Sequence, residues 1–498
     1  MHIFSSSADR DPKGAREGKP TGSWSRRSFT GFLGMLFGAG PFAAAQGPPA
    51  PPDGRVEPSH QTPSYQRMKT YLDSIPAIDT HSHLQPFDIV LPKVETARGF
   101  GANLAGLWHS SYYSWTDLLT PWKPRMSFDE WWAQGKENFV NTRTLGFYRA
   151  MRVAILDLYG IDFNTLTDEQ ARDLDNRLFE NYQNPKWLYE VITKKANIEL
   201  EFEDPFWDRL EFRTDYKFSV MVFNVTTLAF GPNPSTLMPE FKRPSDDPGV
   251  FAQKWGQTIN SLDDYLNLID RMFAEAKEKG AACIKTTIAY ERTLQFNNVP
   301  KQRADQLFPR RANLSPEEAK DLEDFIMWRL PEFSVKYGLP FQIHTGLAHI
   351  EGSNPMNLVP LIRGNPQTKF ILFHGGFPWV GETGAIAFSR PNVWIDCNWL
   401  PMVCFPAAKR AFNEWLDLFA TNRIMWGSDS KSAEEIYAGA ELMRRCWAEV
   451  LAERVDQGDL SEQEARHIGR QVLRENALEM FPQLKKRLWK DKGEDLKA

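Results

Sequence analysis

The sequence contains the stretch Ile75-Pro76-Ala77-Ile78-Asp79-Thr80-His81-Ser82-His83, which constrains the fold more than any other. Its first residues form a short apolar run that is typical of a β-strand, and two histidines follow. Because side chains alternate between the faces of a strand, His81 and His83 point to the same side. Two imidazoles on one face can hold a metal ion, but an isolated pair is more often a pair of ordinary polar residues. A metal site therefore requires further ligands elsewhere in the chain.

The composition bounds the class of protein. The chain has 498 residues, of which 42% are hydrophobic and 25% charged, and this is sufficient for a large core. The formal net charge is -5 and no block of basic residues occurs, so nucleic-acid binding has little support. The four cysteines form no Cys-x-x-Cys pair, and Cys283 and Cys397 lie in apolar runs, which favours buried free thiols.

Residues 1–45 have the three parts of an export signal. Ser25-Arg26-Arg27-Ser28-Phe29 resembles the twin-arginine motif, the apolar run 31–37 follows it, and Ala43-Ala44-Ala45 offers a cleavage site of small residues. The apolar run is too short for a stable membrane span. We therefore expect the twin-arginine export machinery to carry the protein to the periplasm or otherwise out of the cytoplasm.

Residues 46–65 are rich in proline and are predicted to form a disordered tether. The domain proper is predicted to comprise residues 66–498. Its sequence alternates between short apolar runs and helical patterns, and the eight apolar runs are Ile75–Asp79, Asn197–Phe202, Phe218–Val225, Ala281–Ile288, Pro340–His344, Phe370–His374, Val393–Asp396 and Arg423–Trp426. Strands separated by helices pair in parallel, and eight of them predict an α/β fold, the closed (β/α)8 TIM barrel.

Residues 85–190 interrupt this alternation. They are rich in Trp and Tyr, mostly helical in pattern, and inserted between strands 1 and 2. An insertion at this point leaves the C-terminal face of a barrel, where such folds keep their chemistry. The segment is predicted to form a helical cap over a site, with a peripheral helical decoration as the alternative.

Five of the eight predicted strands carry polar residues within them or just after them. These residues are His81 and His83 for the first, Lys285 for the fourth, His344 for the fifth, His374 for the sixth and Asp429 for the eighth. Only nine histidines occur in the chain, and four of them occupy these places. Each residue alone has an ordinary explanation, such as a hydrogen-bonded core histidine or a helix cap. Together, in order and at strand ends, they predict a metal site.

These residues resemble the pattern of the amidohydrolase superfamily of metal-dependent hydrolases. That pattern has His-x-His on strand 1, Lys or Glu on strand 4 in some members, His on strands 5 and 6, and Asp on strand 8. The resemblance runs from Ile75 to Phe481 apart from the insertion, and Glu475-Asn476-Ala477 is similar to the amidohydrolase-related branch. Within the insertion, Phe147-Tyr148-Arg149-Ala150-Met151-Arg152 is somewhat similar to the uronate isomerases, which share the barrel.

The resemblance implies a divalent metal ion. Zn²⁺ is favoured because neutral imidazole and carboxylate suit it and leave a position for water. In mononuclear members one ion is held at the positions that correspond here to His81, His83, His344 and Asp429, and the strand-6 histidine contacts the substrate.

The metal count depends on Lys285. In binuclear members the strand-4 lysine is carboxylated and bridges two ions, and Lys285 and His374 would then join the ligands. One ion is preferred here, because Lys285 leads into Tyr290 and Arg292, and these three residues are predicted to bind the substrate.

The implied reaction is hydrolysis of a C–N or C–O bond, in an amide, ester or lactone. Zinc lowers the pKa of its water from about 15.7 toward about 7, and Asp429 can accept the proton and return it to the leaving group. The metal ion or His374 can polarise the carbonyl oxygen.

Two other functions remain open. Isomerisation of a sugar acid or decarboxylation of an aromatic acid uses the same barrel with nearly the same ligands, and the fold does not separate them. A non-catalytic periplasmic binding protein is the third interpretation. The basic residues near the strand ends favour an anionic small-molecule substrate, and homo-oligomerisation stays open.

Overall fold

The computed structural model describes residues 62–116, 120–206, 209–210, 212–231 and 246–488. The twin-arginine-like segment and most of the predicted tether lie outside these residues and stay predictions. Helix α1, Pro63–Asp73, begins within the stretch assigned to the tether, which makes that prediction wrong for residues 63–65. The Thr62 side chain accepts a hydrogen bond from the Tyr65 N–H, and Pro63 suits the first turn of a helix.

Eight parallel strands form one sheet in chain order, and they are β1 Ala77–Ser82, β2 Ile198–Glu203, β3 Ser219–Asn224, β4 Cys283–Thr286, β5 Phe341–Ile343, β6 Phe370–Leu372, β7 Val393–Asp396 and β8 Ile424–Met425. Each lies within or overlaps a predicted strand. The first and last strands meet, since the Thr80 N–H donates to the Trp426 carbonyl (3.1 Å) and the Asp429 N–H donates to the His81 carbonyl (2.8 Å). The predicted TIM barrel is confirmed as a nearly closed ring.

The chain between β1 and β2 forms a small antiparallel hairpin, Lys93–Thr96 with Gly99–Ala102, and five α-helices among its described residues. The helices are α2 Leu104–Ser110, α3 Phe128–Gly135, α4 Gly146–Tyr159, α5 Asp168–Asn181 and α6 Lys186–Tyr189. This inserted segment has its own aromatic core, in which Trp108, Trp131 and Tyr148 are buried. Large rings buried together in this way stabilise the segment, and the segment in turn positions side chains next to the barrel.

Helices surround the strands, and the later ones are α7 Thr226–Phe230, α8 Pro248–Lys254, α9 Leu262–Glu278, α10 Lys301–Leu307, α11 Pro316–Tyr337, α12 Val359–Gly364, α13 Val380–Ser389, α14 Leu400–Val403, α15 Phe405–Leu418, α16 Ala433–Asp456, α17 Glu462–Arg470 and α18 Asn476–Met480. Capping boxes begin α9 at Ser261 and α11 at Ser315. Within the described residues, none of these helices is long and apolar enough to cross a membrane. Cys283 and Cys397 are buried free thiols, as expected.

Glu434, near the start of α16, holds the inserted segment against the barrel. Its carboxylate accepts hydrogen bonds from the Tyr159 hydroxyl (2.6 Å), the Tyr182 hydroxyl (2.5 Å) and the Trp187 indole N–H (3.0 Å). Three donors on one buried carboxylate satisfy it without a counter-ion. The segment is thereby fixed to the helix that follows β8.

Arg444, further along α16, joins three segments at the opposite end of the barrel. Its buried guanidinium donates to the carbonyl oxygens of Leu72 (3.2 Å), Ile75 (3.2 Å), Ala196 (2.7 Å) and Asn197 (3.4 Å). These carbonyls lie where α1 ends and where β1 and β2 begin. The side chain therefore ties the first two strands to α16.

Candidate metal and active site

The strand-end residues predicted from the sequence converge at the C-terminal end of the barrel, where all six are buried, namely His81, His83, Lys285, His344, His374 and Asp429. Asp429 lies at their centre. Its Oδ1 is 3.3 Å from His81 Nε2 and 3.1 Å from His83 Nε2. Atoms that bind one zinc ion at about 2.0–2.2 Å lie about this far from one another. These three side chains are therefore spaced as ligands of a single ion.

Hydrogen bonds fix the ring of His83. Its Nδ1 lies 3.0 Å from the main-chain carbonyl of Asp204, an acceptor that requires the proton on Nδ1. The Nε2 atom, on the other side of the ring, lies 3.1 Å from Asp429 Oδ1. A partner of this kind orients a metal-binding histidine.

His344 and His374 form the other half of the site. His374 Nε2 lies 2.8 Å from His344 Nδ1, and His344 Nε2 lies 2.9 Å from the Leu347 carbonyl. The carbonyl requires the proton of His344 on Nε2, so the Nδ1 lone pair points toward His374. His374 Nδ1 is in turn 3.4 Å from Asp429 Oδ2. His344 and His374 are therefore joined to each other, and His374 is the one whose ring lies next to Asp429.

Lys285 lies inside the barrel among these donors. Its Nζ is 3.3 Å from His81 Nε2 and 3.9 Å from the Asp204 carboxylate, above the Phe373 ring. Burial lowers the pKa of Lys285, and the Asp204 carboxylate opposes this effect. The Lys285 amine is therefore placed to contact a ligand that binds between β1 and β8.

The electrostatics suit metal binding. Burial, reinforced by the Lys285 charge, lowers the pKa of His81 to about 4 and that of His344 to about 3. Both imidazoles are therefore neutral at pH 7, which is the form that binds metals. Burial opposes ionisation of Asp429, yet the neighbouring histidines hold its pKa well below the usual range.

Asp204, directly after β2, belongs to the site although no sequence motif pointed to it. One donor atom each from His81, His83 and Asp204 lie within 4.8 Å of one another. Asp204 is fully buried, and within the described residues its Oδ2 has no hydrogen-bond partner. Two imidazoles flanked by two carboxylates, one of which also faces the Lys285 amine, are a donor set that fits a divalent cation. The signal that could have found Asp204 is its position at the C-terminal end of a predicted strand.

The predicted substrate-binding residues separate into two groups. Tyr290 packs its ring against His344 with centroids 4.4 Å apart. Arg292 turns to α11, where it ion-pairs with Glu323 (2.7 Å) and Asp324. Lys285 and Tyr290 thus lie at the site, whereas the guanidinium of Arg292 is committed to two carboxylates on a neighbouring helix.

The inserted segment also reaches the site, through Tyr112. The Tyr112 hydroxyl donates to Asp429 Oδ1 (2.8 Å), the oxygen that faces His81 and His83. The Tyr112 ring packs on Trp399 with centroids 4.7 Å apart. Neither Tyr112 nor Trp399 was predicted from the sequence as a site residue, because the contact between them depends on how the inserted segment packs on the barrel.

Backbone conformation marks three neighbouring positions at this end of the barrel. His374, Trp399 and Asp429 have φ of 62°, 64° and 52°, in the left-handed region that favours glycine. They follow β6, β7 and β8 in turn. A non-glycine residue held there costs about 1–3 kcal/mol, and such residues cluster at functional sites.

Comparison with known proteins finds a family match over part of the chain. A family model described as amidohydrolase matches residues 301–483, which include His344, His374 and Asp429. Protein fluG of Emericella nidulans is 28% identical over 148 residues. That match covers 28% of this chain and 17% of the length of fluG, so it says little about the whole of either protein.

Solved structures share the fold over most of the chain. The uronate isomerase of Thermotoga maritima aligns with a TM-score of 0.64 at 16% identity and covers 84% of this chain and 97% of its own. The glucuronate isomerase of Caulobacter crescentus aligns with a TM-score of 0.66 at 14% identity and covers 89% and 97%. At these identities the likeness shows the fold alone. Residues 301–483 therefore match the amidohydrolase family model, and the chain as a whole shares the barrel of these solved structures.

Proposed function

We propose that the protein is a metal-dependent hydrolase that cleaves a C–N or C–O bond, in an amide, ester or lactone, of an anionic small molecule. The observation that carries the proposal is the position of Asp429 Oδ1, 3.3 Å and 3.1 Å from the Nε2 atoms of His81 and His83. The amidohydrolase match over the segment that contains Asp429 supports it.

One zinc ion is proposed, held by His81, His83, His344 and Asp429, with Asp204 as a further carboxylate at its edge. When bound, the ion supplies a Lewis acid that lowers the pKa of water and polarises a carbonyl oxygen. A single ion is preferred to two because Lys285 faces the Asp204 carboxylate at 3.9 Å, an arrangement that suits an unmodified ammonium group better than a negatively charged carbamate.

Asp429 and His374 are proposed to move protons and orient the substrate. Asp429 is ionised at neutral pH, so it can accept a proton from the attacking water and return it to the leaving group. Burial, with His344 alongside, lowers the pKa of His374, so its ring is neutral and can hydrogen-bond the scissile carbonyl oxygen. Tyr112 donates to Asp429 and holds that carboxylate in place.

Isomerisation of a sugar acid is the second candidate. The observation that favours it is the likeness to two uronate isomerases, each covered over 97% of its length with TM-scores of 0.64 and 0.66. Similar fold does not establish similar reaction, because function depends on the side chains placed at the site.

Metal removal tests the proposed hydrolase. We expect dialysis against a chelator to lower hydrolysis at least about 100-fold, and zinc to restore it, because the metal supplies several kcal/mol of transition-state stabilisation. Activity would be measured on a panel of acyl-amino acids, esters and lactones, with uronates and aromatic acids alongside. Dialysis without chelator is the control. Hydrolysis that persists in protein shown to contain no metal would contradict the proposal, and turnover of uronates alone would favour the isomerase.

A further inference from the structure

Asp79 uses one carboxylate oxygen to hold the two segments that carry the central metal donors. This residue lies on β1, two positions before His81, and its side chain is fully buried. Its Oδ1 accepts hydrogen bonds from the main-chain N–H of His81 (3.1 Å) and from that of Ser428 (2.8 Å), the residue before Asp429. One oxygen therefore joins a donor residue on β1 to the neighbour of the donor residue that follows β8.

The sheet pairing is interrupted where His81 lies. The parallel register of β1 with β2 is irregular between Asp79 and Ser82, as at a β-bulge. A bulge disrupts the regular ladder of hydrogen bonds, and bulges are common next to active sites, where they redirect a side chain. The N–H of His81 donates to the Asp79 side chain. The Asp79 carboxylate therefore supplies a fixed point for the backbone where the regular pairing is interrupted.

The turn after β8 is held from the same side. Asp429 has a φ of 52°, a conformation that is strained for a residue other than glycine. Strained backbone persists only where the surrounding structure holds it. The Asp429 N–H donates to the His81 carbonyl (2.8 Å), and the Ser428 N–H donates to Asp79 Oδ1. Consecutive N–H groups of the turn are thus bonded to β1, which holds the turn against His81.

Gly427 permits this close approach. A Cβ atom at position 427 would lie 2.8 Å from the main-chain nitrogen of His81 and 3.0 Å from Asp79 Oδ1. Glycine is the residue that allows another backbone to come so near. A side chain at this position would push β1 and the turn apart. The residue at position 427 therefore gives a second, independent way to change the distance between the two segments.

We propose that Asp79 is a positioning residue of the metal site, which sets the separation of His81 and Asp429 without contacting the ion. The inference rests on the proposed function, because it assigns Asp79 a role toward the proposed zinc ion. A functional site requires its side chains to be held within about 0.5 Å of their working geometry by packing and neighbouring hydrogen bonds. Asp79 provides such a hold for the 3.3 Å between His81 Nε2 and Asp429 Oδ1.

The zinc affinity of the folded protein tests this role. Zinc dissociation constants would be measured by competition with a chelating dye, on variants shown to be folded by circular dichroism. We expect Asp79→Ala to raise the zinc dissociation constant about 10- to 100-fold, the usual effect of removing a group that orients a metal ligand. Asp79→Asn should stay within about threefold of the wild type, because its amide oxygen can accept the same two hydrogen bonds.

Asp175→Ala is the matched control. Asp175 is also buried and also accepts from a main-chain N–H, that of Leu104 (2.9 Å), but it lies on α5 in the inserted segment. A carboxylate that only stabilises the fold lowers the free energy of unfolding without changing the zinc affinity of the folded protein. We therefore expect Asp175→Ala to destabilise the protein and to leave the zinc dissociation constant within about twofold.

Gly427→Ala keeps the test decisive if Asp79→Ala folds poorly, because separating the two segments should weaken zinc binding at least about tenfold. The proposal is overturned if folded Asp79→Ala, or Gly427→Ala in its place, binds zinc as tightly as the wild type. It is also overturned if Asp79→Asn loses as much affinity as Asp79→Ala. A wild type that binds zinc no better than Asp79→Ala does rejects the positioning role alone, whereas a wild type that takes up no zinc rejects the proposed function with it.

Discussion

Asp429→Asn is expected to lower hydrolytic turnover about 100- to 10,000-fold, the usual contribution of a general base. The amide cannot accept the proton of the attacking water, although it has nearly the same shape as the carboxylate. It also removes the negative charge that faces both His81 and His83. Turnover at saturating zinc, on a substrate from the panel described above, measures the effect.

Asp417→Asn is the matched control for this substitution. Asp417 is on α15 with its side chain 67% exposed, and its partner is Arg454. We expect its change in turnover to stay within about twofold, because surface ion pairs contribute little. If Asp429→Asn turned over as fast as this control, Asp429 would not be the base.

Arg444→Met is expected to lower the free energy of unfolding by about 3–5 kcal/mol, because charged hydrogen bonds contribute about 1.5–3 kcal/mol each and the abandoned carbonyls stay buried. Methionine keeps much of the apolar stem and loses only the donors. The substitution removes the hydrogen bonds from α16 to the carbonyls of Leu72, Ile75, Ala196 and Asn197. Denaturant unfolding measures it.

Arg410→Met provides the comparison, since the Arg410 side chain is 59% exposed on α15. Its effect should stay within about 0.5 kcal/mol. An equal effect of the two substitutions would mean that the buried guanidinium contributes no more than a surface one. Both proteins should be compared at the same metal content, because a bound ion adds to apparent stability.

The barrel could be predicted because its signals are local. Each strand is a short apolar run, and the polar residue that follows, such as His344 or Asp429, marks the C-terminal end of the strand. Helix starts were equally local, since Ser261 and Ser315 form capping boxes with residues three positions on. The tether prediction was wrong at residues 63–65, because Pro63 was interpreted as a sign of extended chain but begins a helix.

The missed site residues have tertiary causes. Tyr112 reaches Asp429 only because the inserted segment folds against α16, and nothing in its own sequence fixes that approach. Trp399, which contacts Tyr112 and His374, reaches the site through the same packing. Arg292 was expected to contact the substrate because it follows Lys285. The chain turns there, however, and Arg292 forms ion pairs with Glu323 and Asp324 on α11. Proximity in sequence is a poor guide once a strand has ended.

The proposed metal site can be tested by counting the zinc ions in the purified, reconstituted protein. Elemental analysis would compare the wild type with the double variant His81→Ala/His83→Ala after excess zinc is removed. We predict about one ion per chain in the wild type and about none in the variant, because the missing imidazoles supply half of a four-ligand site. A wild type without zinc, or a variant that retains as much as the wild type, would contradict it.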